Sequence, residues 1–80
     1  VVYPDSALRR GMEGRVEIKV TNDRAGNLLS QEVKTGSGVQ LLDRAANNIV
    51  SNAEPLPSIP DELEGDDFSF VMPIAFILQQ

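Results

Sequence analysis

The stretch FSFVMPIAFIL, residues 68–78, decides how the rest of the chain must be arranged. Phe68, Phe70, Met72, Ile74, Phe76 and Leu78 fall on one face at period two, the spacing of a half-buried strand. Pro73 limits where that strand can lie. A proline has no N–H to give to a ladder, so it is tolerated in a sheet only at an edge or a bulge. The strand is therefore expected at an edge, with Pro73 either turned to the open side or marking a bulge. Nothing else inside the strand blunts it against another chain, and Asp66 and Asp67 guard only its entrance.

Working back from this strand, EPLPSIPDELEGDD (residues 54–67) has three prolines and reads as an extended, exposed connection. Before it, SGVQLLDRAANNIVSNA (37–53) is the main helix, about four turns long. Ser37 stands three residues before Gln40 at capping-box spacing, and Leu42, Ala45, Ala46, Ile49 and Ala53 recur at helical intervals. GRVEIKVT (14–21) alternates cleanly, with Val16, Ile18 and Val20 inward and Arg15, Glu17, Lys19 and Thr21 outward. NDRAGN (22–27), with Gly26 available for a positive φ, joins it to LLSQEVKT (28–35) as a hairpin. YPDSALRRG (3–11) is a short helix, with Pro4 at its first position, Gly11 as its stop and Arg9 and Arg10 at its C-terminal end.

The order is helix, strand, strand, helix, strand. A right-handed crossover from the second strand places the third beside the first, giving spatial order second, first, third. The expected fold is thus α+β: a three-stranded antiparallel sheet packed against one main helix, with a short N-terminal helix, all in a single domain over residues 1–80.

Composition excludes several classes of function. Eighty residues bury only about 60–65% of the surface the unfolded chain exposes, so the core is modest; with no cysteine, no disulfide supports it. Residues 1–53 carry seven basic and six acidic side chains, and residues 54–80 carry six acidic and none basic. Nucleic acid is accordingly not an expected partner. No apolar run is long enough to span a membrane, and the start VVYPDSALRR lacks the charge order of a signal peptide, so any addressing segment is expected outside these residues.

Histidine is absent as well. The commonest general base, the strongest nucleophile and the usual transition-metal ligands are therefore all missing, and neither an enzyme nor a cofactor is expected. TGSG before the main helix lacks a phosphate-loop lysine and reads as a cap, while Asp66 and Asp67, as strand neighbours, point to opposite faces.

Several features together resemble the C-terminal domain of TonB, the energy transducer of Gram-negative envelopes. They are YP opening a helix with Ala7, GMEGRVEIKV with Gly11, Gly14 and Val16, the turn glycine Gly26, Ser37 and Gly38, LDRAA at Leu42 to Ala46, and a proline-bearing connection before a strand ending PIAFIL. The resemblance covers nearly the whole chain. It implies a periplasmic domain of a protein anchored in the inner membrane. Such a domain captures the TonB box, a short N-terminal segment of outer-membrane receptors for iron chelates, haem or cobalamin, as an added strand along its own last strand. ExbB and ExbD, driven by the proton gradient, would act through an anchor outside these residues.

On that resemblance the partner-binding residues are Phe70, Val71, Met72, Pro73, Ile74, Ala75, Phe76 and Ile77. In the family a glutamine-bearing stretch before YP also touches the receptor; here Val1 and Val2 stand in that place, with Tyr3 beside them either stacking on a partner or anchoring its helix. The acidic connection departs from the basic character of better-known members. Two further expectations stay open: a structural envelope module similar to the C-terminal domain of TolA, linking the two membranes, and a weak homodimer paired through the edge strand.

Overall fold

The computed structural model describes residues 2–78. Its elements run α1 (Asp5–Arg9), β1 (Gly14–Asp23), β2 (Leu28–Thr35), α2 (Gln40–Asn52) and β3 (Asp67–Phe76). The sheet has the order β2-β1-β3, antiparallel throughout, as the crossover argument requires.

Alternation in β1 builds the core. Val16, Ile18 and Val20 are fully buried, and Asn22 continues the same inward row at the hairpin end. From above, α2 supplies Leu42, Ala46 and Val50, and it packs on β1 and β2. Leu42 and Ala46 belong to the expected stripe, but Ala45 and Ile49 are only half-buried, Ala53 is an exposed C-cap, and Val50 takes the third inward place. Toward the other edge the helix layer consists of α1 and the residues before it. Ala7 is buried, and the Tyr3 ring meets Phe76 edge-on at 5.4 Å with an interplanar angle of 81°.

Three local expectations need correction. Pro4 is the N-cap of α1, one position before the first helical residue; the stop at Gly11 forms as anticipated, with φ 65° and paired bonds from Gly11 N–H to Leu8 and from Met12 N–H to Ala7. Ser37 does not cap α2, which starts at Gln40 with Val39 as its N-cap. The Ser37 N–H and hydroxyl instead donate to the Asp43 carboxylate at 2.9 and 2.7 Å, while its Oγ accepts the Val39 N–H at 3.0 Å. The reach-back characteristic of a capping box is made here by Asp43, and it holds the strand-to-helix loop.

The third correction concerns the connection, which is not simply extended and exposed. Leu56 is buried, its N–H donates to the Gly26 carbonyl at 2.8 Å, and the Ile59 N–H donates to Arg24 at 3.0 Å. The Arg24 guanidinium completes the clasp, donating to the carbonyls of Leu63, of Gly65 at 3.1 Å and of Pro60 at 3.4 Å while lying 5.4 Å from the centre of the Phe68 ring. The Asp23 carboxylate shapes the turn beneath by accepting the Asn27 side-chain amide and the backbone N–H groups of Asn27 and Ala25, and these bonds hold its pKa below the usual carboxylate value. The connection thus wraps the hairpin tip on its way to β3.

Candidate partner-binding edge

The phase of β3 follows from its register. Residues pair without a shift from Gly14 opposite Phe76 to Asp23 opposite Asp67, which puts Pro73 opposite Glu17. Antiparallel pairs alternate between those that exchange both backbone bonds and those that exchange none. Pro73 has no N–H, so its pair is of the second kind, and the bulge alternative falls away. Phe68, Phe70, Met72, Ile74 and Phe76 then turn their N–H and C=O groups to β1, and Ser69, Val71, Pro73 and Ala75 turn theirs to the open side. Two separate bonds agree with this phase. The Asp23 N–H points away from β3 to Asn27 at 2.9 Å, and the Leu78 N–H points inward to the Glu13 carboxylate at 2.7 Å.

The two sheet edges differ. β2 is bulged against β1 twice, between Glu17 and Ile18 and between Thr21 and Asn22, and its Gln31 side chain is tied to Asn47 of α2. Bulges twist an edge away from a regular partner. β3 has ten residues in unbroken register and one missing donor, so it is the more regular of the two edges.

Side chains divide along the same alternation. On the face away from the helices, Val71, Pro73, Ala75 and Ile77 are all exposed, forming an apolar row beside Lys19, Glu17 and Arg15 of β1. A shallow groove of about 230 Å³ lies there between Lys19, Lys34, Ser69, Phe70 and Val71. On the helix face Ile74 and Phe76 are buried, Met72 is half-buried and Phe70 remains 40% exposed. The apolar face of β3 is therefore not packed against the main helix along its length. A 13-residue helix is about 20 Å long against about 33 Å for a ten-residue strand, and α2 sits over the other two strands.

Of the expected site residues, Val71, Pro73 and Ala75 come together on the open edge, with Ile77 just past its end. Phe70 and Met72 flank it on the helix face, whereas the side chains of Ile74 and Phe76 belong to the core. Tyr3 is an anchor: its hydroxyl donates to the Met12 carbonyl, and burial, with Glu13 nearby, raises its pKa above the usual tyrosine value. Val2, 78% exposed, lies by a groove of about 270 Å³ with Pro4, Ala45, Asn48, Ile49 and Asn52, away from the β3 edge. Val1 is outside the described residues. Ser69 was missed, although it shares the odd phase of Val71 and Pro73; its hydroxyl pairs with that of Thr21 at 2.7 Å.

A helix–strand–strand–helix–strand domain with one edge strand free along its length defines a small α+β class suited to strand addition. Within it, this chain belongs to the family of Gram-negative bacterial TonB protein C-terminal domains, whose family model matches residues 1–78. It is similar to Protein TonB of Pseudomonas putida, 36% identical over 61 residues that make up 76% of this chain and 25% of that protein. It is also similar to Protein TonB of Vibrio cholerae serotype O1, 34% identical over 59 residues, 74% of this chain and 24% of that one. The chain thus spans about a quarter of the length of these curated relatives. Among solved structures, the NMR solution structure of Helicobacter pylori TonB-CTD residues 179-285 matches with a TM-score of 0.81 at 26% identity, covering 99% of this chain and 70% of that one. The structure of its residues 194-285 matches with a TM-score of 0.73 at 29% identity, covering 99% and 82%.

Proposed function

We propose that this chain is the periplasmic domain of a TonB-type energy transducer, and that it captures the N-terminal segment of outer-membrane receptors as a fourth strand along β3. The observation that carries this reading is the unbroken outer edge of β3, with the N–H groups of Ser69, Val71 and Ala75 and the carbonyl of Pro73 turned outward, in a member of the TonB family. Main-chain bonds would supply affinity, and the exposed row Val71, Pro73, Ala75 and Ile77, with Phe70 and Met72 on the other face, would supply choice of partner. Each bond contributes a net ~0.5–1.5 kcal/mol, so a handful less the ordering cost gives weak capture, short of the ~8 kcal/mol of micromolar binding unless side-chain contacts add to it. Such weakness suits a coupler that must release its receptor. Coupling itself would come from ExbB and ExbD through a membrane anchor, drawing on the proton gradient to drive uptake of iron chelates, haem or cobalamin. Family membership speaks for this reading over a TolA-type envelope link.

Ala75→Pro tests the side assignment. The substitution removes an outward N–H while the extended backbone tolerates proline, so affinity for a synthetic receptor N-terminal peptide should fall about 2- to 12-fold with folding retained. Calorimetric titration with a parallel thermal melt measures both. A melt lowered as far as the Phe76 core variant described below would mean that Ala75 faces β1.

A further inference from the structure

The edge that accepts a foreign strand is also a template for a second copy of this chain, and Pro73 treats the two differently. Pairing along the outer edge uses the N–H of every odd residue of β3, and position 73, exposed and opposite Glu17, has none to give. An added strand without proline finds one of its carbonyls unpaired at that point, whether it runs parallel or antiparallel. A second copy brings its own Pro73. Two β3 edges paired about a two-fold axis lose a bond from each side in any register that includes both prolines, even when the prolines face each other. The penalty on self-pairing is therefore twice the penalty on a foreign strand, counted in bonds.

We propose that Pro73 is a specificity-determining residue of the β3 edge: it favours a proline-free extended segment of another protein over a second copy of this chain. This builds on the reading of the outer edge of β3 as the capture site. The rest of the strand is consistent with that role. Its outward side chains Val71, Ala75 and Ile77 are apolar and carry no charge that would repel a second copy, and the acidic pair Asp66 and Asp67 lies only at its start. Proline is the device left to hold self-pairing down. It does so at the strand's exposed face, while the core is supplied by Ile74 and Phe76, which follow it in sequence.

The test uses the 80-residue chain and no receptor. Restoring one ladder bond is worth about 2- to 12-fold in an equilibrium constant, and restoring two about 5- to 150-fold. In sedimentation equilibrium, Pro73→Ala should therefore raise the dimerisation constant about 5- to 150-fold over the unchanged chain. Pro73→Thr, which restores the same N–H with a better strand former, should do likewise and stands in if the alanine variant folds poorly. Two synthetic peptides copying residues 66–78, one unchanged and one carrying Pro73→Ala, give the graded version. Affinity should rise about 2- to 12-fold from the unchanged pair to the unchanged chain with the altered peptide, and by the same factor again when the chain also carries Pro73→Ala. Equal dimerisation constants for the chain and both folded variants would overturn the proposal, as would a single step shared by both peptide combinations. Failure of receptor capture leaves this result unaffected, because no receptor segment enters the measurement.

Discussion

Phe76→Ala is expected to cost about 3–5 kcal/mol, a large part of the roughly 4–12 kcal/mol that 80 residues ordinarily hold. Phe76 is the largest fully buried side chain; it lies opposite Gly14 at the end of β3 and receives the edge of Tyr3. Its truncation leaves a cavity beneath α1 that neither the short helix nor the tethered Tyr3 can collapse to fill. Phe70→Ala is the comparison. Phe70 lies on the same face of the same strand but is 40% exposed, so its loss should cost only about 1–2 kcal/mol. Urea unfolding of the two variants measures the contrast. Similar midpoints would mean that the helix layer covers β3 evenly, contrary to the geometry described above.

Gly26→Ala carries the second large effect. Gly26 sits at φ 91°, where an L side chain is strained, and an added Cβ would lie 2.9 Å from the carbonyl carbon of Leu56. The Gly26 carbonyl also receives the Leu56 N–H, so the backbone cannot move away without giving up that bond. Strain, collision and a displaced Leu56 together are expected to cost about 2–4 kcal/mol. Unfolding equilibria give the total, and amide exchange locates it: the Leu56 and Ile59 amides should lose protection far more than those of α2. A cost below about 0.5 kcal/mol would show that the connection does not depend on its seat against the hairpin turn.

Much of this fold was legible in the residues because its parts obey local rules. Strict alternation at Val16, Ile18 and Val20 identified the central strand, and Pro73 with the handedness of the crossover fixed the sheet order. What escaped was decided by competition between partners far apart in sequence. Arg24 looked like a loop residue, and only the fold brings three carbonyls of residues 60–65 within its reach. Ser37 had the spacing of a cap, but Asp43 claims its N–H and hydroxyl. Leu56 stands between two prolines in a stretch whose composition suggests solvent, yet one backbone bond to Gly26 turns it inward.

The candidate edge was half legible for a similar reason. Period two placed Val71, Pro73 and Ala75 on one face, but which backbone groups face outward depends on the register against Glu17, which no local pattern encodes. Once the register is known, Ser69 joins the outward set by the same alternation. Burial likewise separates Ile74 and Phe76 from Phe70, although all three share a face, because the length and position of the helices decide it.

The outward set makes capture along β3 directly measurable. Amide hydrogen exchange, followed residue by residue by NMR, would be recorded with and without a synthetic peptide from the N-terminus of an outer-membrane receptor. Strand addition along β3 predicts that the amides of Ser69, Val71, Ala75 and Ile77 slow on binding, while those of Phe70, Met72, Ile74 and Phe76, already bonded to β1, change little. Protection that appeared instead along β2 or beside the Val2 groove of α2, or that rose equally at odd and even positions of β3, would contradict capture at this edge.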